Sequence, residues 1–268
     1  METMPTRPAP ALAAASARPR HAVVDALRGC AILWMTTFHF CFDLAYFGYW
    51  HQNFYADPIW TGQRTAIVSL FLLCAGTGQA IASAQGQRWP RFWTRWAQIA
   101  GCALLVTAGS YLMFPRSFIY FGVLHGIAVM LIALRLLAPW GRRQPAALWM
   151  LGAVAVAMQF MAHYALSTPA LASFADDFNA PWLNWLGFIT KKPITEDYVP
   201  LFPWLGLMLW GLAAGQWLLR RRPHWLALAL PRWTAPLAWA GRHSLSWYML
   251  HQLVLIGLLM SYGWLRTH

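Results

Sequence analysis

Charge is what this chain lacks most. Charged side chains make up 10% of its 268 residues, and aspartate plus glutamate number only eight. A water-soluble domain carries about 25% charged residues, so these few could not cover an aqueous surface. Cysteine is scarce too: Cys30, Cys41, Cys74 and Cys102 all lie in apolar stretches, with no CxxC pair. That argues against a disulfide framework or a zinc site and for buried structural thiols. The sequence also lacks a repeat of fixed period, a glycine-rich phosphate loop and a paired metal motif.

What is abundant is apolar. Hydrophobic residues reach 59%, tryptophans number eighteen, and the mean hydropathy is +0.43. Several apolar runs of about 20 residues point to an all-α, polytopic integral membrane helix bundle. The expected spans are roughly 30–48, 65–84, 95–114, 118–138, 145–166, 198–219 and 243–264, seven in all. The alternating loops differ in charge. One side holds Arg88, Arg91, Arg142, Arg143, Arg220, Arg221, Arg222, Arg232 and Arg242; the other holds Arg64, Arg116, Lys191, Lys192 and most of the acidic residues. The positive-inside rule then makes the N-terminus cytoplasmic and the C-terminus external. The net charge of +12 thus reports orientation, and no nucleic-acid partner is expected.

The opening residues, rich in Pro, Ala and Arg, contain no apolar core of signal-peptide length and read as a disordered cytoplasmic arm over 1–21. Residues 22–265 read as a single transmembrane domain. Two connecting segments differ from the short loops. The external stretch 167–197 is either a lid over the outer mouth or a connector lying in the headgroups. The cytoplasmic stretch 220–244 surrounds a short apolar run with prolines and tryptophans, and reads as an amphipathic or re-entrant piece.

Within the first span, "HFCFDLAYFG" keeps ionisable groups in apolar surroundings. At about 100° per residue, Asp25, Arg28, His39 and Asp43 share one narrow stripe of the helix. Each would cost at least ~2.5 kcal/mol facing lipid at the membrane centre, so the stripe is expected to face the bundle interior or a wet cavity. Asp25 and Arg28 can pair at i, i+3, and His39 and Asp43 at i, i+4. A carboxylate that fixes an imidazole tautomer suits a general base; the same pair could equally be a packing hydrogen bond. His125 in the fourth span and His251 with Gln252 in the seventh fall at membrane depth too, and are expected to line the same cavity. Gly122 and Gly126 flank His125, and Gly126 leaves room for a close neighbour.

The stretches "DALRGCAILWMTTFHFCFDLAYFG", "SLFLLCAGTG", "FGVLHGIAV", "DYVPLFPWLGLMLWG" and "AGRHSLSWYMLHQ" resemble the successive signatures of the bacterial heparan-α-glucosaminide N-acetyltransferase catalytic-domain family, over about residues 21 to 262. The opening also resembles that of the wider transmembrane acyltransferase superfamily. The resemblance implies an acyl-CoA-dependent enzyme in a bacterial inner membrane. It would move an acyl group, an acetyl by expectation, from cytoplasmic acetyl-CoA to a sugar or glycan acceptor at the outer side. No metal is implied, and a homodimer is compatible with it.

By the same resemblance Arg28 helps form the donor site. His39 is the base or the acyl-accepting group, and Asp43 orients it. Arg242 and His243 at the cytoplasmic mouth are candidates for the CoA phosphates on charge. In the lysosomal member the catalytic histidine lies beyond the first helix. The comparable stretch here, "YWHQNFYADPIW", offers His51 as the reserve. The alternatives from other classes are a proton-coupled transporter or flippase, with His39, Asp43 and His251 as relay, and a non-catalytic membrane protein.

Overall fold

The computed structural model describes residues 21–267, all helices and connections. The arm expected over 1–21 therefore lies, His21 apart, outside the described residues. Helix α1 (Ala22–Tyr46) stops where Gly48 takes φ +77°, a left-handed value only glycine adopts cheaply. Around it the Tyr49 N–H bonds the Leu44 carbonyl at 2.8 Å and the Gly48 N–H that of Ala45 at 3.1 Å, satisfying carbonyls the helix end leaves open. Helix α2 (Pro58–Ala84) starts on Asp57, whose side chain accepts the Ile59 N–H at 2.8 Å, with Pro58 in the first turn. It ends at Gly86, φ +66°, as α1 does at Gly48.

Then follow α3 (Trp89–Met113), α4 (Val123–Arg143) and α5 (Pro145–Leu166). A long connection carrying the short α6 (Ala175–Asn179) leads to α7 (Leu201–Arg221). The small α8 (Pro223–Leu226) and α9 (Ala235–Arg242) precede α10 (Ser244–Thr267). The path runs up and down. Arg220 donates to the Arg142 carbonyl at 3.0 Å at the arginine-rich, basic end. The Val199 N–H meets the Phe121 carbonyl at 3.2 Å at the far end.

Among the described residues six helices, α2, α3, α4, α5, α7 and α10, are long and apolar enough to cross a membrane. Helix α1 has 25 residues, about 37 Å at 1.5 Å per residue, which exceeds a hydrocarbon core of about 30 Å. Its polar stripe keeps it out of the apolar set. Leu104, Leu112, Met150, Phe160, Met161 and Leu258 are large and exposed, an apolar jacket that suits lipid rather than water.

Helices α2, α4, α5 and α7 share a dry core around Leu72, Met130, Leu134, Leu148, Met208 and Leu212. Helix α7 comes so close to α2 that a Cβ on Gly76 would sit 2.1 Å from the Met208 carbonyl oxygen. At the basic end α9 crosses α1 as tightly. A Cβ on Gly29 would meet the Leu237 carbonyl at 1.9 Å, and one on Gly241 would meet that of Asp25 at 1.8 Å. The stretch 220–244 thus holds a short helix clamped onto α1, and the clamp places Arg242 and His243 beside Asp25 and Arg28.

The connection 167–200 is anchored rather than loose. Asn184 is 1% exposed and donates to the Tyr120 hydroxyl at 2.7 Å, and the Tyr198 hydroxyl donates to the Asn184 carbonyl at 2.6 Å. The Glu196 N–H bonds the Ser117 carbonyl at 2.9 Å. This pairing takes up 117–121, so α4 starts at Val123 instead of the expected 118.

Candidate functional site

Three side-chain hydrogen bonds join α1 to α10 at successive turns. Trp247 Nε1 donates to Thr36 Oγ1 at 3.0 Å, His39 Nδ1 meets His251 Nε2 at 2.7 Å, and Gln252 Nε2 donates to Asp43 Oδ1 at 2.8 Å. The spacing explains the ladder: residues 36, 39 and 43 fall on one face of α1, as 247 and 251 do on α10. The deeper half of the α1 stripe, His39 and Asp43, therefore looks at α10 and not at lipid.

The tautomers follow from the network. His251 Nδ1 lies 2.8 Å from the Tyr248 carbonyl oxygen, which can only accept, so that nitrogen carries a proton. In a neutral ring His251 Nε2 is then an acceptor, and His39 Nδ1 donates to it. His39 Nε2 is left with its lone pair, and His39 lines a large cavity.

That cavity, about 930 Å³, lies between α1, α2, α3, α4 and α10. At its basic end it is bordered by Arg28, Gln79 and Arg95, at mid-depth by His39 and His251, and at the far end by Tyr55, Arg64 and Glu196. A second recess of about 510 Å³ opens at the basic end, bordered by His21, Asp25, Arg28, Arg242 and His243. Arg28 and Gly78 border both spaces. A Cβ on Gly78 would lie 3.3 Å from Arg28 Nη2, so glycine keeps that boundary open. Arg28 also pairs with Asp25 at 3.5 Å.

The far mouth is polar. Glu196 accepts from the Ser117 hydroxyl at 2.5 Å and from the Tyr55 hydroxyl at 3.4 Å. Asp197 accepts the Val123 N–H at 2.7 Å at the start of α4, and a Cβ on Gly122 would lie 2.4 Å from its Oδ2. Burial pushes the Asp197 carboxyl above the ordinary carboxylate range, against the pull of the Val123 N–H, Arg64 and Lys192.

Comparison with protein-family models matches residues 20–253 to the family described as "Heparan-alpha-glucosaminide N-acetyltransferase, catalytic". The chain belongs to this family. No curated protein and no solved structure matches it. Membership implies membrane acetyltransferase activity with acetyl-CoA as the acetyl donor.

Against this family background, the expected site residues divide. His39, Asp43, His251, Gln252 and Arg28 border the large cavity, while Asp25, Arg242 and His243 join Arg28 around the recess. Two expectations are corrected. His39 and Asp43 do not bond each other; each finds a partner on α10, because the facing helix offers better-placed groups than the next turn of α1. His125 does not border the cavity. Its Nδ1 accepts the Gly122 N–H at 3.2 Å, tying up an open donor at the start of its own helix, and its Nε2 meets Thr107 Oγ1 at 3.0 Å. Gly126 does admit a neighbour: a Cβ there would lie 2.7 Å from the Val199 carbonyl oxygen. His51 is exposed in the connection between α1 and α2, away from the cavity lining.

Sequence reasoning passed over Gln79, Arg95, Tyr55, Arg64 and Glu196. Gln79 is 6% exposed, with an Nε2 that has no partner. A glutamine inside an apolar span was the one available signal. Among the described residues no three His, Cys, Asp or Glu side chains gather as metal ligands.

Proposed function

We propose that the chain is an integral-membrane acyltransferase, one transmembrane domain over residues 22–265, that carries an acetyl group from acetyl-CoA at the basic end to a sugar or glycan hydroxyl or amine at the far end. The observation that carries this reading is the imidazole of His39, its Nε2 free, midway along a cavity bordered by Arg28 and Arg95 at one end and by Glu196, Asp197 and Arg64 at the other. The charge asymmetry supports a cytoplasmic basic end.

The recess fits a phosphorylated donor. Arg28, Arg242, His21 and His243 converge there against a single carboxylate, Asp25, which already faces Arg28. Guanidinium groups bind phosphate oxygens by charge-assisted hydrogen bonds. Bound acetyl-CoA supplies an activated acyl carbon as a thioester.

His39 Nε2 takes the proton from the acceptor hydroxyl or amine as that group bonds to the acyl carbon. His251 Nε2, accepting the Nδ1–H of His39, steadies the positive charge that develops on the ring. His39 then returns the proton to the departing sulfur as the carbon–sulfur bond breaks, so the site ends in its starting state. Asp43, held by Gln252, adds a negative partner to the same wall.

The test uses proteoliposomes of one orientation, supplied with radiolabelled acetyl-CoA on one side and candidate sugars on the other. Label is expected on the sugar only when the donor meets the basic end, and His39→Ala is expected to remove it. Equal transfer by His39→Ala would overturn the mechanism. Solute flux driven by a pH gradient, with no requirement for acyl-CoA, would identify a proton-coupled transporter or flippase instead.

A further inference from the structure

The large cavity has a side wall that does not close. Beyond its polar ends it is bordered by Leu105, Gly109 and Met113 of α3 and by Leu253, Ile256 and Met260 of α10. Four of these are surface residues as well: Leu105 is 64% exposed, Met113 44%, Leu253 62% and Met260 59%. A side chain that borders a cavity and also lies open to the outside stands at an opening, so the cavity communicates with the lipid-facing surface between α3 and α10.

Packing shows why the gap is there. The two helices meet lower down, where Ile99 and Ala103 of α3 cluster with Leu245, Tyr248 and Met249 of α10. Higher up, a Cβ built on Gly109 or Gly257 would touch nothing within 4 Å. The α10 residues of the cleft stand two, five and nine positions beyond His251, which is roughly 3 to 14 Å along the helix axis. The cleft thus runs from the imidazole pair toward the far end of the bundle, lined mainly by apolar side chains with Ser110 and Gln252 among them, and joins the polar mouth at Tyr55, Arg64 and Glu196.

We infer that the acceptor is an amphiphile, a sugar carrying an aliphatic lipid anchor, that enters sideways from the bilayer through the cleft between α3 and α10. This rests on the acyltransferase reading above and names its substrate class. The polar mouth suits a hydroxyl-rich head, through the carboxylates of Glu196 and Asp197 and the guanidinium of Arg64. The cleft beside it suits the anchor, whose tail stays in hydrocarbon while the head reaches His39. A water-soluble glycan would make no use of an apolar wall open to hydrocarbon, and an acetyl group, with one methyl, has no chain to fill it. The anchor belongs to the acceptor.

The test compares the same sugars, free and as long-chain alkyl glycosides, in nanodiscs with radiolabelled acetyl-CoA. The alkyl glycosides are expected to be acetylated with a kcat/KM at least about tenfold higher, the contribution of binding energy remote from the reacting atoms. Gly109→Trp places a large ring in open space and should obstruct the cleft without disturbing the core; Met260→Trp does so independently from α10. Either is expected to lower transfer to the alkyl glycoside by about tenfold while coenzyme A binding stays unchanged. Equal rates for free and alkyl sugars, or no effect of either tryptophan, would overturn the lateral route and leave the acyltransferase reading standing. Loss of palmitoyl transfer in the tryptophan variants with acetyl transfer intact would assign the cleft to the donor chain and overturn it too. No transfer to any sugar would instead overturn the acyltransferase reading on which the proposal stands.

Discussion

His39 Nδ1 stands 2.7 Å from His251 Nε2, with the two rings 19° from parallel and their centroids 5.0 Å apart. Since the Tyr248 carbonyl fixes the far nitrogen of His251 as a donor, the pair is polarised in one direction, toward a free Nε2 on His39. His251→Phe keeps a ring of similar bulk and removes the acceptor. Its kcat is expected to fall by about a hundredfold, within the range of acid–base contributions, with the KM for acetyl-CoA unchanged. Because His251 acts through His39, His251→Gln, which keeps an acceptor, should recover part of the loss. Steady-state kinetics in nanodiscs reads both.

Gly78 keeps the boundary between the recess and the cavity open, with Arg28 Nη2 only 3.3 Å from where a Cβ would sit. Gly78→Leu should push the guanidinium aside and fill the passage. Coenzyme A binding is expected to weaken, because Arg28 belongs to the donor recess, and acetyl transfer at saturating donor to fall by about a hundredfold or more, since a misplacement of about 1 Å already costs that much. Calorimetry and transfer assays on one preparation separate the two effects.

Arg242 faces the recess from the clamped helix α9. Arg242→Ala is expected to raise the KM for acetyl-CoA by about tenfold, the loss of a charge-assisted contact to phosphate, with kcat little changed. The defect should shrink as salt screens the wild-type interaction. Arg242→Lys should recover less than full binding, because a point charge cannot reproduce the planar fork.

Gln252 is the partner of Asp43, which is 3% exposed and whose Oδ2 is already without one. Gln252→Leu strands the remaining oxygen in a buried site and is expected to destabilise the protein by about 1–3 kcal/mol. Adding Asp43→Leu should return part of that loss, since removing both partners relieves the stranded group. Thermal unfolding followed by tryptophan fluorescence measures the cycle.

Asp197 gives a pH signature. Burial raises its native pKa above the unfolded value, so the folded state holds the proton more tightly. The resulting stability is full below the ordinary aspartate value, about 3.9, and is lost as pH rises through the raised native value. Asp197→Asn keeps an acceptor for the Val123 N–H and cannot ionise. Its melting temperature is expected to match the wild type at the acid end and to move above it as pH rises toward neutrality.

The helix bundle was legible because lipid-facing residues must be apolar over whole turns; α5 runs over the expected 145–166. Starts were less so. Helices α1, α2 and α3 begin about two turns early, because caps such as Asp57 with Pro58 extend a helix into polar sequence that hydropathy assigns to loops. The Asp25–Arg28 pair was readable from its i, i+3 spacing, a property of one helix. The partners of His39 and Asp43 were not, since they depend on the register of α10 against α1, which Thr36 and Trp247 help set. Glu196 and the α3–α10 cleft also arise only between elements distant in sequence.

The most direct measurement pairs two readouts on His39→Ala in nanodiscs: the dissociation constant for coenzyme A and the single-turnover rate of acetyl transfer to sugar. An unchanged dissociation constant with transfer slowed by about a hundredfold or more is the expected result. A transfer rate equal to the wild type at equal donor occupancy would contradict a base at the middle of the cavity.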